Sequence, residues 1–119
     1  MAEDEKDISS SKNRVSKDEL MSLMANIVDV EVEGMTFGIR PISWKEDLDL
    51  DRSASASRDE NGRLFGEEEQ ARERMKQMVW LGVVDPKMSQ VEVDKLPVGL
   101  VIRLAREIGK ISSYIEKNE

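Results

Sequence analysis

The sequence predicts an α+β domain in which a β-hairpin packs with about four helices, the longest of them at the C-terminus. Two observations carry this prediction. Valines alternate with acidic residues over 28–33, and the alternation resumes over 35–40 after Gly34, which is typical of two strands joined by a tight turn. Elsewhere, apolar residues recur every three or four positions behind capping residues, which is typical of amphipathic helices. Because an isolated hairpin is only marginally stable, this one must pack on helices or join another sheet.

Capping residues mark where three of the helices begin. Three serines that stand three positions before a glutamate are predicted to form capping boxes, namely Ser16, Ser43 and Ser89. The first predicts a helix over 17–27 and the second a helix over about 44–52. The third predicts a short helical turn that ends near Leu96.

Two longer helices complete the predicted set. The acidic run 67–69 complements the positive end of a helix that opens at Gly66 and stops at Gly82 or at the Asp-Pro pair just beyond it. Pro97 can open the last helix, because its missing amide costs nothing at the first helical position. The wide apolar stripe of this last helix makes it the predicted spine of the core.

The chain of 119 residues has the length of one domain. Residues 1–14 are charged and rich in serine, which predicts a disordered acidic tail. We expect residues 15–116 to form the single domain and residues 116–119 to fray. The stretch 53–63 is polar, small and rich in turn residues, which predicts a mobile loop.

Composition and charge argue against several functional classes. The formal net charge is −7 and there is no basic run, so neither nucleic acid nor an anionic membrane is an expected partner. The acidity suits a basic protein partner or serves solubility alone. There are no cysteines and no histidines, which removes thiol chemistry, the usual general base and the commonest metal ligand. With no bilayer-length apolar run and a polar N-terminus, a cytoplasmic protein is expected.

No arrangement of residues predicts catalysis, a cofactor or a metal. The glycines are scattered and form no phosphate-binding loop. The acidic run 67–69 is interpreted as a solvated helix start. Asp47, Asp49 and Asp51 alternate as in a calcium loop, but the central glycine and final glutamate that such a loop needs are both arginines here. The sequence therefore predicts a protein that is not an enzyme and takes no cofactor.

Apolar residues that the core does not need are the candidates for a protein-binding surface. The stripe of the last helix is wider than one face of a small domain requires, and methionines adapt to varied shapes. The residues proposed for this surface are Met75, Met78, Leu100 and Leu104. Core filling is the favoured interpretation of the methionines in general, and Trp44 and Trp80 are predicted to be core anchors. An open hairpin edge is a further candidate, although its alternating acids would blunt it.

Three stretches, taken together and in order, carry a family resemblance. Over 37–47 a strand ends in Arg-Pro-Ile before a capping serine and an acidic helix; over 79–88 a helix leads into a valine–acid–proline exit; over 96–108 a Leu-Pro-x-Gly step opens the last helix. The order and spacing of these motifs resemble those of the small tail assembly chaperones of long-tailed phages and prophages. The resemblance covers about residues 28–112.

This resemblance implies a protein that binds the tape measure protein during tail assembly in the host cytoplasm and is absent from the finished virion. It implies no catalytic or ligand residues, and it does not explain the charged N-terminal extension. Two other classes stay open: a structural virion subunit of the tail or connector, and a regulatory protein-binding module. The sequence also leaves self-association open.

Overall fold

The computed structural model of this chain describes residues 14–113. Apart from Arg14, the predicted tail 1–14 and the predicted fraying of 116–119 lie outside the described residues. Across the described range, five α-helices accompany one three-stranded antiparallel sheet, which confirms the predicted α+β class. In chain order the elements are α1 (Lys17–Ser22), β1 (Val28–Val32), β2 (Met35–Ile39), α2 (Trp44–Ser55), α3 (Glu67–Gly82), β3 (Val83–Asp85), α4 (Gln90–Asp94) and α5 (Val98–Ser112).

The strands lie in the order β1-β2-β3, and the predicted hairpin is confirmed. Its two-residue turn consists of Glu33 and Gly34, with Val32 paired to Met35 across it. Both turn residues have positive φ, 56° and 78°, as a type I′ hairpin turn requires. The third strand is not predicted from the sequence, because three residues are too few to show an alternating pattern.

All three predicted capping boxes are present. Two helix ends differ from the prediction. The first helix gives way to a 3₁₀ turn at Leu23–Ala25, and α2 continues past 52 to Ser55 because Ala54 is buried. The predicted loop 53–63 therefore starts later than expected, and an isolated bridge between Arg58 and Leu64 closes it.

The core lies where one face of the sheet meets α3 and α5. The largest fully buried side chains are Val32, Ile39, Leu50, Val79, Val83, Val93, Leu104 and Ile108. At the centre of this junction, Gly82 packs so closely on α5 that a Cβ there would lie 2.6 Å from Cδ1 of Ile108. The Gly82 carbonyl also accepts a hydrogen bond from the Arg40 N–H, at 2.8 Å. The glycine thus lets β2, α3 and α5 meet at one point.

Candidate protein-binding surface

The described residues offer little for chemistry. Among residues 14–113 there is no group of three or more acidic, histidine or cysteine side chains placed to hold a metal ion. No helix in that range is long and apolar enough to span a bilayer. Glu46 has a strongly lowered pKa, and this residue forms a structural ion pair with Arg40.

That ion pair fixes the connection between β2 and α2. Arg40 donates through both Nη atoms to the two Oε atoms of Glu46, at 3.0 and 2.8 Å, and Glu46 Oε1 also accepts from the Ser43 N–H at 3.0 Å. The hydrogen bond from Arg40 is the largest of the effects that lower the pKa of Glu46 from 4.5 to about 2. The segment 40–43 is therefore held rigidly between the strand and the helix.

The sequence-predicted site residues do not form one surface. Leu104 is 0% exposed and Leu100 is 8% exposed, so the prediction that they lie on a free surface is wrong. Most of the apolar stripe of α5 is used by the core, because the sheet covers one side of this helix and α3 covers another. Val98 and Ile102 of α5 are exposed. Met75 and Met78 are half-buried against the core, and only Met78 borders a surface depression.

Apolar residues are instead exposed on α1 and the 3₁₀ turn. Within the described part of the chain, α1 contains no buried residue. Its Leu20 and Met21 are largely exposed, and Leu23 and Ile27 beyond it are exposed as well. The neighbours of this helix in the fold do not cover these side chains.

One depression separates the 3₁₀ turn from the end of α5. Its volume is about 390 Å³. Its wall is formed by the 3₁₀ turn, the start of β1, the 40–43 connection and the last turn of α5. The lining residues are Leu23, Met24, Asn26, Val28, Pro41, Ile42, Ile111 and Ser112. Six of these eight side chains are apolar, so the depression favours an apolar ligand over a polar one.

A second depression, of about 400 Å³, lies beside the start of α2. Its residues are Ile42, Ser43, Trp44, Asp47, Met78, Gly109, Ser112 and Ser113. Gly109 keeps this space open, because nothing lies within 4 Å of where its Cβ would be. The Trp44 side chain at its edge is 83% exposed.

The exposure of Trp44 contradicts its prediction as a core anchor. Trp44 and Leu48 share a face of α2, as their spacing predicts, but the face of α2 that is buried is that of Leu50 and Ala54. About 100° of rotation per residue places Trp44 well away from Leu50. The spacing of Leu50 and Ala54, four positions apart, is the sequence signal that marks the buried face of α2 and leaves Trp44 outside it.

The two depressions are contiguous, because Ile42 and Ser112 line both. We refer to the two together as the Ile42 groove. The Ile42 N–H donates to Ser112 Oγ at 2.8 Å, and that hydroxyl donates to the Ile108 carbonyl at 2.7 Å. The Ile42 N–H and the Ser112 hydroxyl are therefore both paired beneath the groove.

One acidic side chain lies in the wall of the groove. Asp47 lines it at the Trp44 end, where it pairs with Arg74 of α3. Asp29 and Glu31 alternate along β1 with the inward-facing valines, so they lie on the other face of the sheet from Val28 of the groove.

No family model, curated protein sequence or solved structure matches this chain. The features of this chain that bear on its function are the Ile42 groove, the net charge and the three motif segments.

Proposed function

We propose that this protein is a non-catalytic tail assembly chaperone, which binds the tape measure protein of a long-tailed phage or prophage while the tail is built. The observation that carries the proposal is the Ile42 groove, whose first depression is lined mostly by apolar side chains and whose second depression is edged by the exposed Trp44. Exposed tryptophan, methionine and leucine side chains around a depression are typical of sites that take apolar segments of other proteins.

The motif segments support the proposal through their positions in the fold. Arg40 of the first segment donates its N–H to Gly82 of the second, and Gly82 packs directly on Ile108 of the third. The first segment also supplies Pro41 and Ile42 to the groove. The residues on which the family resemblance rests are therefore those that build the junction beneath the candidate surface.

The charge of the chain suits a chaperone that works in the host cytoplasm. A net charge of −7 keeps copies of an apolar-surfaced protein apart. The same charge lets the protein carry exposed side chains such as Trp44 and Leu23 without precipitating. A protein that holds an aggregation-prone partner needs both properties.

Co-expression with the long tape measure protein encoded downstream tests the proposal. We expect the partner to stay in the soluble fraction and to copurify with this chain only when this chain is present. A partner that is soluble alone and does not bind would contradict the proposal.

Purified particles provide the second measurement. We expect this chain to be missing from them, since an assembly chaperone leaves before the tail is complete. A fixed copy number per particle would instead establish the structural subunit of the tail or connector.

A further inference from the structure

We propose that the free edge of β1 binds an extended segment of the partner protein as a fourth strand of the sheet, with basic side chains opposite Asp29 and Glu31 and an apolar side chain beside Val28. This inference deepens the proposed function, on which it rests for the identity of the partner. The nature of the bound segment follows from the backbone groups of the edge, from the side chains of β1 and from the apolar depression at the start of this strand.

The backbone of β1 has unpaired groups along its outer side. The strand lies at an edge, because the sheet has the order β1-β2-β3. The pair at Val32 that closes the two-residue turn is hydrogen-bonded, and hydrogen-bonded pairs alternate along an antiparallel ladder, so Val30 and Val28 also bond to β2. The N–H and C=O groups of Asp29 and Glu31 therefore point away from β2. No other backbone group in the described part of the chain hydrogen-bonds to them.

These unpaired groups favour an extended segment over a helix. A strand laid along β1 pairs with the N–H and C=O groups of both Asp29 and Glu31, which is how peptides add to exposed sheet edges. A helix uses its own backbone groups internally, so a helix on this edge would cover these groups without pairing them. The hydrogen-bonding capacity of the edge therefore specifies the conformation of the bound segment.

The exposed face of β1 specifies charged neighbours for the added strand. The valines of β1 face the helices, whereas Asp29 and Glu31 are exposed on the other face. Their cross-strand neighbours on β2 are the uncharged Gly38 and Thr36, and neither carboxylate makes an ion pair in the described part of the chain. Because cross-strand pairs of opposite charge stabilise a sheet, lysine or arginine belongs at these two positions of the added strand.

The same carboxylates disfavour a second copy of this chain at the edge. An antiparallel pair of β1 edges places Asp29 opposite Glu31 when it is centred on Val30. When it is centred on Asp29 or on Glu31, it places two identical carboxylates opposite each other. Like charges directly opposite each other destabilise a sheet. A segment of another protein, with basic residues at these positions, meets no such repulsion.

The helix-facing side of β1 specifies where the added strand needs an apolar residue. Val28, at the start of β1, lines the first depression of the groove together with Met24 and Ile111. A side chain beside Val28 on the added strand shares its face of the sheet, so it lies at this depression of about 390 Å³. At the other end of β1, Arg103 of α5 pairs with Glu33 of the turn at 2.9 Å. The apolar residue therefore belongs at the Val28 end.

An NMR titration of the isotope-labelled full chain with synthetic peptides tests the inference. The probe is a capped peptide of about six residues, the length of an ordinary strand, in which lysine and valine alternate. One counterpart carries glutamate in place of lysine. Another carries N-methyl groups on its lysines, whose N–H groups would otherwise pair with the edge.

We expect the lysine peptide to shift the amide signals of Asp29 and Glu31 and to slow hydrogen exchange of these two N–H groups by about tenfold or more. Neither counterpart should do so at the same concentration. Binding that leaves these two amides unprotected would overturn the inference. Equal binding of the methylated peptide or of the glutamate peptide would overturn it as well, because backbone pairing or opposite charge would then play no part.

Two variants of Glu31 separate the backbone from the charge. Glu31→Pro removes an N–H that points away from β2, a position where an edge strand tolerates proline, and should abolish binding of the lysine peptide. Glu31→Gln keeps the N–H and should weaken binding by about threefold. Glu60→Gln is the matched control, since Glu60 is also exposed but lies in the loop between α2 and α3. An equal loss in the control would contradict the inference.

Circular dichroism verifies that Glu31→Pro keeps the fold. If this variant does not fold, the methylated peptide gives the same test on the wild type. A homodimer of the wild type that Glu31→Pro dissociates would overturn the inference, because the edge would then hold a second copy.

The proline variant also separates this inference from the proposed function. If the tape measure protein is retained equally by the wild type and by Glu31→Pro, the function stands and the β1 edge is the wrong surface. If the lysine peptide binds at the edge but the tape measure protein is not retained, the edge stands and the proposed partner is wrong.

Discussion

The first and last helices of this chain show similar apolar spacing and opposite burial. In α5, Leu104 and Ile108 are completely buried between the sheet and α3. Leu20 of α1 is likewise spaced three and four positions from Leu23 and Met24, yet Leu20 is exposed. Spacing of this kind predicts a helix and its apolar face. Whether that face belongs to the core or to a binding surface depends on what the rest of the chain places against it.

The largest single effect is expected on truncating a leucine of α5, and a leucine of α1 provides the comparison. Leu104→Ala removes a fully buried side chain and should lower the free energy of unfolding by about 3 kcal/mol. Leu20→Ala removes a side chain that is 47% exposed and should cost less than about 0.5 kcal/mol. Urea denaturation followed by circular dichroism measures both. Similar costs would show that α1 packs as tightly as α5 and would remove the distinction.

Two helical glycines extend the comparison from side-chain loss to crowding. Gly82→Ala places a Cβ within 3.0 Å of three atoms of Ile108 and should lower the free energy of unfolding by about 2 kcal/mol. Gly109→Ala, in α5 where the added Cβ has no neighbour within 4 Å, should raise it by about 0.5–1 kcal/mol. Thermal melting gives the sign of each change. A stabilising Gly82→Ala would mean that α3 and α5 can separate at little cost.

An effect smaller than those of Leu104→Ala and Gly82→Ala is expected at the rigid connection that supports the groove. The folded-state pKa of Glu46, at about 2, lies below its ordinary value of 4.5, so the ion pair with Arg40 stabilises the fold fully above pH 4.5. That contribution, on the order of 1–2 kcal/mol for a partly exposed pair, is lost as the pH falls from 4.5 towards 2. Glu46→Gln should therefore be less stable than the wild type at pH 7.

Urea denaturation at several pH values measures the difference in the free energy of unfolding between the wild type and Glu46→Gln, called the gap below. The gap should narrow as the solution is acidified through that window, since the wild type loses its ion pair there. A gap that is independent of pH would show that shape, rather than charge, accounts for the role of Glu46.

Much of the fold follows from local signals in the sequence. The capping serines and the Glu33–Gly34 turn act within a few residues, so the helix starts and the hairpin could be predicted. The strand β3 could not, because it is defined by pairing with β2 and not by its own pattern. The end of α2 was missed for a similar reason, since burial of Ala54 outweighs the weak helix propensity of the serines around it.

The candidate surface was harder to predict than the fold. Of the four residues proposed from the sequence, Met78 borders the groove, whereas Leu100 and Leu104 belong to the core. Trp44 was assigned to the core because large aromatic residues are usually buried, and its exposure depends on which face of α2 meets α3. Burial is set by contacts between distant segments, which single-sequence patterns do not contain.

The Ile42 groove joins parts of the chain that are far apart in sequence. The hydrogen bond from Ile42 to Ser112 alone spans 70 positions, so the groove exists only when the domain is folded. A ligand that requires the folded state stabilises that state by mass action. The melting temperature of this protein should therefore rise with the concentration of whatever occupies the groove. The protein and the bound segment would then protect each other, each limiting the time that the other spends with its apolar surface exposed to solvent.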